Sequence, residues 1–169
     1  MVWETVSMLE WSEAQITDGP NLRLVAGPVG IRAIEFDRDQ PIPEGERNDR
    51  NALLVEAVRQ LRTYCAGELR EFQLPLDMQG TEFQKRVWRQ LESIPYGETR
   101  SYSQIAEAIG SPQAVRAVGA ANGANPIAIV VPCHRVIGAG GKLVGYGGGL
   151  PLKKRLLELE GVVTLSLRY

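Results

Sequence analysis

The chain has 169 residues, 44% hydrophobic and 23% charged, an ordinary make-up for a globular protein long enough to bury a real core. No apolar stretch approaches the roughly 18 residues of a membrane span, and Met1-Val2-Trp3-Glu4 lacks the basic-then-apolar pattern of a signal peptide, so a cytoplasmic location with reduced Cys65 and Cys133 is expected. The net charge of −1 hides an asymmetry: 14 acidic and 8 basic residues through Gly80, then 6 and 11 from Thr81, which points to a polyanion partner for the second half alone.

The first half, 1–78, reads as a small α+β domain with a supporting role. Leu22, Leu24 and Ala26 alternate with polar neighbours over Asn21–Ala26, and Ile31–Phe36 alternates likewise. Gly27-Pro28-Val29-Gly30 between them is a turn signal, so an antiparallel hairpin is expected, joined by an earlier strand near Thr5–Leu9. Asp37–Asn51, with Pro41 and Pro43, reads as a loop. Leu54, Val58, Leu61 and Cys65 then follow helical spacing until Gly67, which places Cys65 in the core as a structural thiol. Leu69–Gly80 reads as a linker.

The second half, 79–169, reads as mostly helical. Phe83, Val87, Trp88 and Leu91 share one helical face, broken by Pro95-Tyr96-Gly97. Ser101 caps a helix over Tyr102–Ile109, ended by Gly110. Ser111 is expected to cap the next, with Pro112 in its first position, running to Asn122. Two short helices joined by Gly110-Ser111 form a helix-turn-helix pattern, one that many helical hairpins share. The second of them carries small residues (Ala114, Ala117, Gly119, Ala120, Ala121) and one charge, Arg116. Such a helix suits either close packing within the protein or entry into a DNA groove. Val136-Ile137 and Leu143-Val144 flank Gly138–Gly141 as a second hairpin, followed by the glycine-rich run Gly145–Gly149. A last helix spans Pro151–Glu160. Its Lys153, Lys154 and Arg155 lie at the unfavourable end of the dipole, which suggests that they serve a partner.

Val131-Pro132-Cys133-His134-Arg135 carries the chemistry. Cys133 adjoins the chain's single histidine. A thiolate is the nucleophile, and a neighbouring histidine or positive charge promotes it. Taken alone, such a pair is more often a buried structural thiol beside a stray surface histidine.

Together these segments resemble the O6-alkylguanine-DNA alkyltransferases, or methylated-DNA–protein-cysteine methyltransferases. The resemblance is strong over 81–161. It rests on Phe83…Val87-Trp88, Ile94-Pro95-Tyr96-Gly97, Ser101-Tyr102, Ala117-Val118-Gly119, Asn125-Pro126, Val131 through Ile137, Gly145-Tyr146-Gly147-Gly148 and Leu156-Leu157…Glu160-Gly161. It implies a single-turnover transfer of the alkyl group from O6-alkylguanine, and from O4-alkylthymine, in double-stranded DNA to Cys133. His134 would be the general base through a bridging water, oriented by Glu160. Tyr102 would donate to the guanine ring, and Asn125 would tie the recognition helix to the active-site segment. Arg116 would fill the gap left by the flipped base, with Ala114, Ala117, Gly119 and Tyr102 at the DNA. Val136, Tyr146, Gly147 and Gly148 would form the base pocket, with carbonyls of Cys133 and Val136 reading the exocyclic amine. The resemblance further implies no cofactor and a monomer in solution, and leaves room for cooperative assembly on DNA. Some members carry serine at the position of Gly147, and some hold zinc in the first domain. One cysteine and no histidine in this first half exclude such a zinc site. Related sensors of damaged DNA lack the acceptor cysteine, which this chain keeps. Two other readings are weighed against transfer: a non-catalytic helix-turn-helix damage sensor, and a thiol hydrolase with a Cys-His-Glu triad.

Overall fold

A computed structural model describes residues 8–16, 21–36 and 41–162. The first half builds a four-stranded sheet in the order β3-β2-β1-β4, from β1 (Glu10–Gln15), β2 (Asn21–Ala26), β3 (Ile31–Phe36) and the two-residue β4 (Glu46–Arg47). The expected hairpin is β2–β3, closed by Gly27 N–H donating to the Gly30 carbonyl at 2.9 Å. Its alternation is broken by a bulge: Val25 pairs with Ala33 and Ala26 with Ile31, leaving Arg32 unpaired. The extra residue lets Ile31 and Ile34 both face the core. The earlier strand begins later than expected. It is Glu10–Gln15, antiparallel to β2, while residues 5–7 of the expected Thr5–Leu9 strand lie outside the described residues. Within the expected loop, β4 pairs in parallel with β1, so the sheet is mixed.

Helix α1 (Ala52–Cys65) starts where the Asn51 side chain accepts from the amides of Leu53 and Leu54, at 2.9 and 3.0 Å. Its inner face is Leu54, Ala57, Leu61 and Tyr64, one residue each turn, and it packs on the sheet. Cys65 lies at the margin of that face and is only half-buried.

The segment read as a linker is part of the fold. Ile31 donates to the Pro75 carbonyl and Asp77 to the Ile31 carbonyl, both at 2.8 Å, so residues 75–77 run alongside β3. Arg32 pairs with Asp77 at 2.8 Å. Phe72, Leu74 and Leu76 pack on the core.

The second half contains α2 (Glu82–Glu92), β5 (Arg100–Ser101), α3 (Tyr102–Ala108), α4 (Val115–Gly123), β6 (Val136–Ile137) and α5 (Leu150–Leu159). Thr81 and Ser101 both head capping boxes, with Gln84 and Gln104 returning the bond. Trp88 of α2 donates its indole N–H to the Ala121 carbonyl of α4 at 2.8 Å. Between α3 and α4 the expected Ser111 cap is absent. Ser111-Pro112-Gln113-Ala114 is a β-turn, Ala114 N–H donating to Ser111 C=O at 2.9 Å, and the helix begins only at Val115. Proline's fixed φ suits the second position of such a turn as well as the first turn of a helix.

The second expected hairpin is also corrected. Val136–Ile137 pairs in parallel with Arg100–Ser101, and residues 143–144 form no strand. The two halves share one core: Leu22, Leu24 and Ile34 of the sheet lie in the same cluster as Val87, Trp88, Ile127 and Val131. Ile34 also exchanges backbone bonds with the Pro126 carbonyl (2.9 Å) and the Ala128 amide (3.0 Å). Among the described residues no helix is long and apolar enough to cross a membrane.

Candidate active site

The apolar run Ile127–Val131 before the cysteine is a tight turn. Val131 N–H returns to the Ile127 carbonyl at 3.0 Å, and Ile129 at its centre holds φ = 70°. That conformation is costly for a β-branched residue and persists only where its surroundings impose it. Asn125 does so. Its side-chain oxygen accepts from Ile127 N–H at 3.0 Å and its amide donates to Val131 C=O at 2.8 Å, clamping both ends of the turn. Asn125 directly follows α4, so one side chain joins that helix to the cysteine segment.

Cys133-His134-Arg135 then forms a single 3-10 turn, not the extended segment in which neighbouring side chains would face opposite ways. All three are buried. Cys133 lies at the wall of a cavity of about 400 Å3, within the size range of small-molecule sites. Tyr102 of α3, Gly119 and Asn122 of α4, Asn125, Tyr146 and Gly147 line it, together with Glu35 and Phe36 of β3.

Behind the cysteine sits a buried polar cluster. His134 Nε2 is 2.9 Å from Oε1 of Glu160, the residue that ends α5. Arg135 grips the same carboxylate with two bonds, Nε to Oε2 at 2.9 Å and Nη2 to Oε1 at 2.8 Å, and donates Nη1 to the Ile94 carbonyl at 2.6 Å. Tyr64 of α1 donates its hydroxyl to Oε1 at 2.5 Å. Gly97 N–H approaches Oε2 at 3.4 Å; its φ of +81° and a Cβ position only 2.9 Å from the Glu160 carbonyl reserve that place for glycine. Among the described residues no group hydrogen-bonds His134 Nδ1.

The charge states follow. Burial would raise the Glu160 carboxyl, but the bonds from His134, Arg135 and Tyr64 outweigh it and hold its pKa at about 2. Burial pushes His134 down against the pull of Glu160, so the imidazole is neutral, donates from Nε2 to the carboxylate and keeps Nδ1 free to accept a proton. Burial also pushes the Cys133 thiol up, only partly opposed by a hydrogen bond from Asn125 and the charge of Lys153. The adjacent Arg135, expected to promote the thiolate, is committed to Glu160. The cysteine therefore rests as a thiol and needs a base.

Lys153 corrects another expectation. It is fully buried and donates to the carbonyls of Val136 (2.6 Å), Val144 (3.0 Å) and Gly145 (3.4 Å), with burial lowering its pKa to about 8. It serves the site and no external partner. With Arg135 it removes two cations from the surface of the basic half.

The structure thus gathers Cys133, His134, Glu160, Tyr102, Asn125, Tyr146 and Gly147. Tyr102 hydroxyl donates to the Val144 carbonyl at 3.3 Å. Gly119 faces its ring, 3.9 Å from the Cβ position. Arg116 and Ala117 are exposed on α4, and Ala114 lies in the turn before it. Val136 and Gly148 do not line the cavity: the Val136 carbonyl is held by Lys153, and the Cβ position of Gly148 would lie 2.5 Å from Leu152. Tyr64 and Asn122 escaped the sequence reading, and Arg135 and Lys153 were read in other roles. For Tyr64 there was one signal, a polar-tipped ring on the apolar face of a helix, where its hydroxyl requires a partner.

The ribonuclease-like domain of the 6-O-methylguanine DNA methyltransferases matches residues 21–78, and the DNA-binding domain of the same proteins matches residues 82–162. The chain belongs to this family. A methylated-DNA–protein-cysteine methyltransferase of Methanosarcina barkeri is 60% identical over 144 residues, 84% of this chain and 90% of its own. The Mycolicibacterium paratuberculosis protein of that name is 71% identical over 104 residues, 62% of this chain and 63% of its own length. The crystal structure of Mycobacterium tuberculosis OGT in complex with DNA is similar with a TM-score of 0.80 and 48% identity, covering 94% of this chain and 97% of that one. As a 6-O-methylguanine DNA methyltransferase family member, the chain carries the buried cysteine and neutral histidine described above within its DNA-binding domain.

Proposed function

We propose that this chain repairs DNA by direct reversal, moving the alkyl group of O6-alkylguanine, and of O4-alkylthymine, irreversibly onto Cys133. The observation that carries this reading is the buried His134–Glu160 pair beside Cys133, with a neutral imidazole whose Nε2 is held by the carboxylate. His134 Nδ1 takes the thiol proton through a bridging water as sulfur attacks the alkyl carbon. The sulfur–carbon bond forms as the carbon–O6 bond breaks, and the electron pair passes to the guanine, which is reprotonated. Glu160 stabilises the imidazolium. The substitution forms no tetrahedral intermediate, so the site's task is to stabilise negative charge on the leaving guanine. Tyr102 hydroxyl supplies a donor to the ring, and backbone N–H groups of the Tyr146–Gly148 turn approach O6.

The target base leaves the duplex stack to reach the cavity, at a cost of a few kcal/mol. Helices α3 and α4 act as a helix-turn-helix, with the small residues of α4 permitting close approach and exposed Arg116 filling the vacated space. The protein acts as a cytoplasmic monomer. Titration with duplex containing O6-methylguanine tests the reading: repaired product should stop at one equivalent per protein, with a matching gain of one methyl in intact mass. Binding with no mass change would favour a damage sensor, and product beyond one equivalent would rule out the suicide mechanism.

A further inference from the structure

Tyr64 is a buried titratable group with no part in the transfer as proposed so far. Tyr64 lies on α1, in the first half, 96 residues before the carboxylate it touches. Its hydroxyl reaches Glu160 Oε1 at 2.5 Å and lies 3.4 Å from His134 Nε2. Its ring is wholly buried, packed at 5.2 Å from the Phe72 centroid and edge-on to Tyr96 at 6.2 Å.

We propose that Tyr64 is a positioning residue for alkyl transfer: its hydroxyl shares Glu160 Oε1 with His134 and thereby sets how strongly the carboxylate raises the basicity of the imidazole. This rests on the function proposed above. A phenylalanine would fill the same volume and satisfy Phe72 and Tyr96. The hydroxyl must be accommodated by an acceptor in a dry interior, and the acceptor it has is the relay carboxylate. Oε1 receives three donors: His134 Nε2, Tyr64 and Arg135 Nη2. Each donor draws charge from the oxygen, so removing the phenol strengthens the remaining bond to His134. Removing it also releases the carboxylate from one of the contacts that fix its orientation. The two effects oppose each other on rate but not on titration. A more basic Glu160 binds the imidazolium more tightly, and His134 then protonates at higher pH. The other charged and titratable groups around Tyr64 and this pair are Cys65 from α1, Arg135 and Cys133 from the 3-10 turn, Lys153 from α5 and Tyr146 from the glycine-rich loop. Arg135 shares Oε1 with the phenol and Tyr146 feels its field, so both respond to a change at Tyr64 alongside the imidazole. The first half therefore enters the chemistry as well as the fold.

The test is Tyr64→Phe in the full chain, followed by single-turnover transfer from methylated duplex across pH, with wild type alongside. Transfer at neutral pH should slow about tenfold, because an oriented bond to a charged group is lost. The acid limb of the rate profile should move up by roughly 1 pH unit, the shift that corresponds to a tenfold change in protonation. The Kd for DNA should not change. A rate within twofold of wild type with an unmoved limb overturns the proposal, as does uniform slowing at every pH, which marks a merely structural tie. Incorporation of 3-fluorotyrosine at position 64 keeps the ring and strengthens the donor; the limb should then move down, and no movement or upward movement overturns the proposal even if Tyr64→Phe fails to fold. A wild type that transfers nothing overturns the proposed function and this inference with it, whereas a competent wild type isolates the inference.

Discussion

Glu160→Gln is the most informative single change in the cluster. The carboxylate accepts from His134, Arg135 (twice), Tyr64 and Gly97, and its side chain is completely buried. An amide offers one acceptor oxygen and one NH2, so whichever way it turns, a donor meets a donor. Arg135 is left as a buried cation without its counter-charge, a loss that typically costs about 3–5 kcal/mol. With its NH2 turned to His134, the amide leaves the imidazole without the acceptor that holds its proton on Nε2. The proton then favours Nδ1, the position that must be empty for the base to work. In a triad, the analogous carboxylate-to-amide change lowers turnover by about 10^4 through the wrong tautomer. Here the expected loss in single-turnover rate is on the order of 10^3–10^4. Urea unfolding would give the stability change, and quenched-flow transfer from methylated duplex would give the rate. A variant within about 1 kcal/mol of wild type that also transfers within tenfold would refute the reasoning.

Lys153→Met keeps the side-chain volume but leaves the carbonyls of Val136, Val144 and Gly145 without their donor; urea unfolding should show a loss of about 2–4 kcal/mol. Tyr102→Phe should slow transfer by about 2–4 kcal/mol of barrier while the DNA Kd barely moves, because its bond strengthens as charge grows on the guanine; an unchanged single-turnover rate would remove that role. Arg116→Ala should impair repair of duplex more than reaction with the free alkylated base, and equal losses on both would place Arg116 in pocket shaping. Glu160, held at about 2 in the fold against 4.5 in a free chain, contributes about 3 kcal/mol that is fully present above pH 4.5 and lost as pH falls toward 2. His134, depressed in the fold, also destabilises on acidification, so unfolding free energy measured between pH 7 and pH 3 should fall steeply in wild type and less in Glu160→Gln.

Much of the fold was legible because its signals are local. Gly27–Gly30 closes its hairpin, Gly67 and Gly110 end their helices with positive φ, and Ser101 caps its own. The failures share a different cause. β1 buries Trp11 and Ser12 in succession and shows no alternation to read. The bulge at Arg32 depends on a partner strand. Ser111-Pro112 satisfies the rules of a turn and of a helix start equally, and the packing of α4 decides. At the site, the Cys133-His134 pair and Asn125 were visible as a motif. The role of Tyr64 and the true partners of Arg135 and Lys153 were not, because those partners are 96, 25 and 17 residues away and only the folded chain brings them together. Lys153 shows the hazard most clearly: a lysine in a basic run near a helix start reads as surface, yet it is the interior tether of the glycine-rich loop.

The measurement that tests the central claim most directly is peptide mapping of the protein after reaction with an excess of duplex containing O6-methylguanine. The account predicts one methyl on the Cys133 peptide, none on the Cys65 peptide, and no transfer by Cys133→Ser. A methyl on Cys65, or a Cys133→Ser protein that still repairs the duplex, would contradict it.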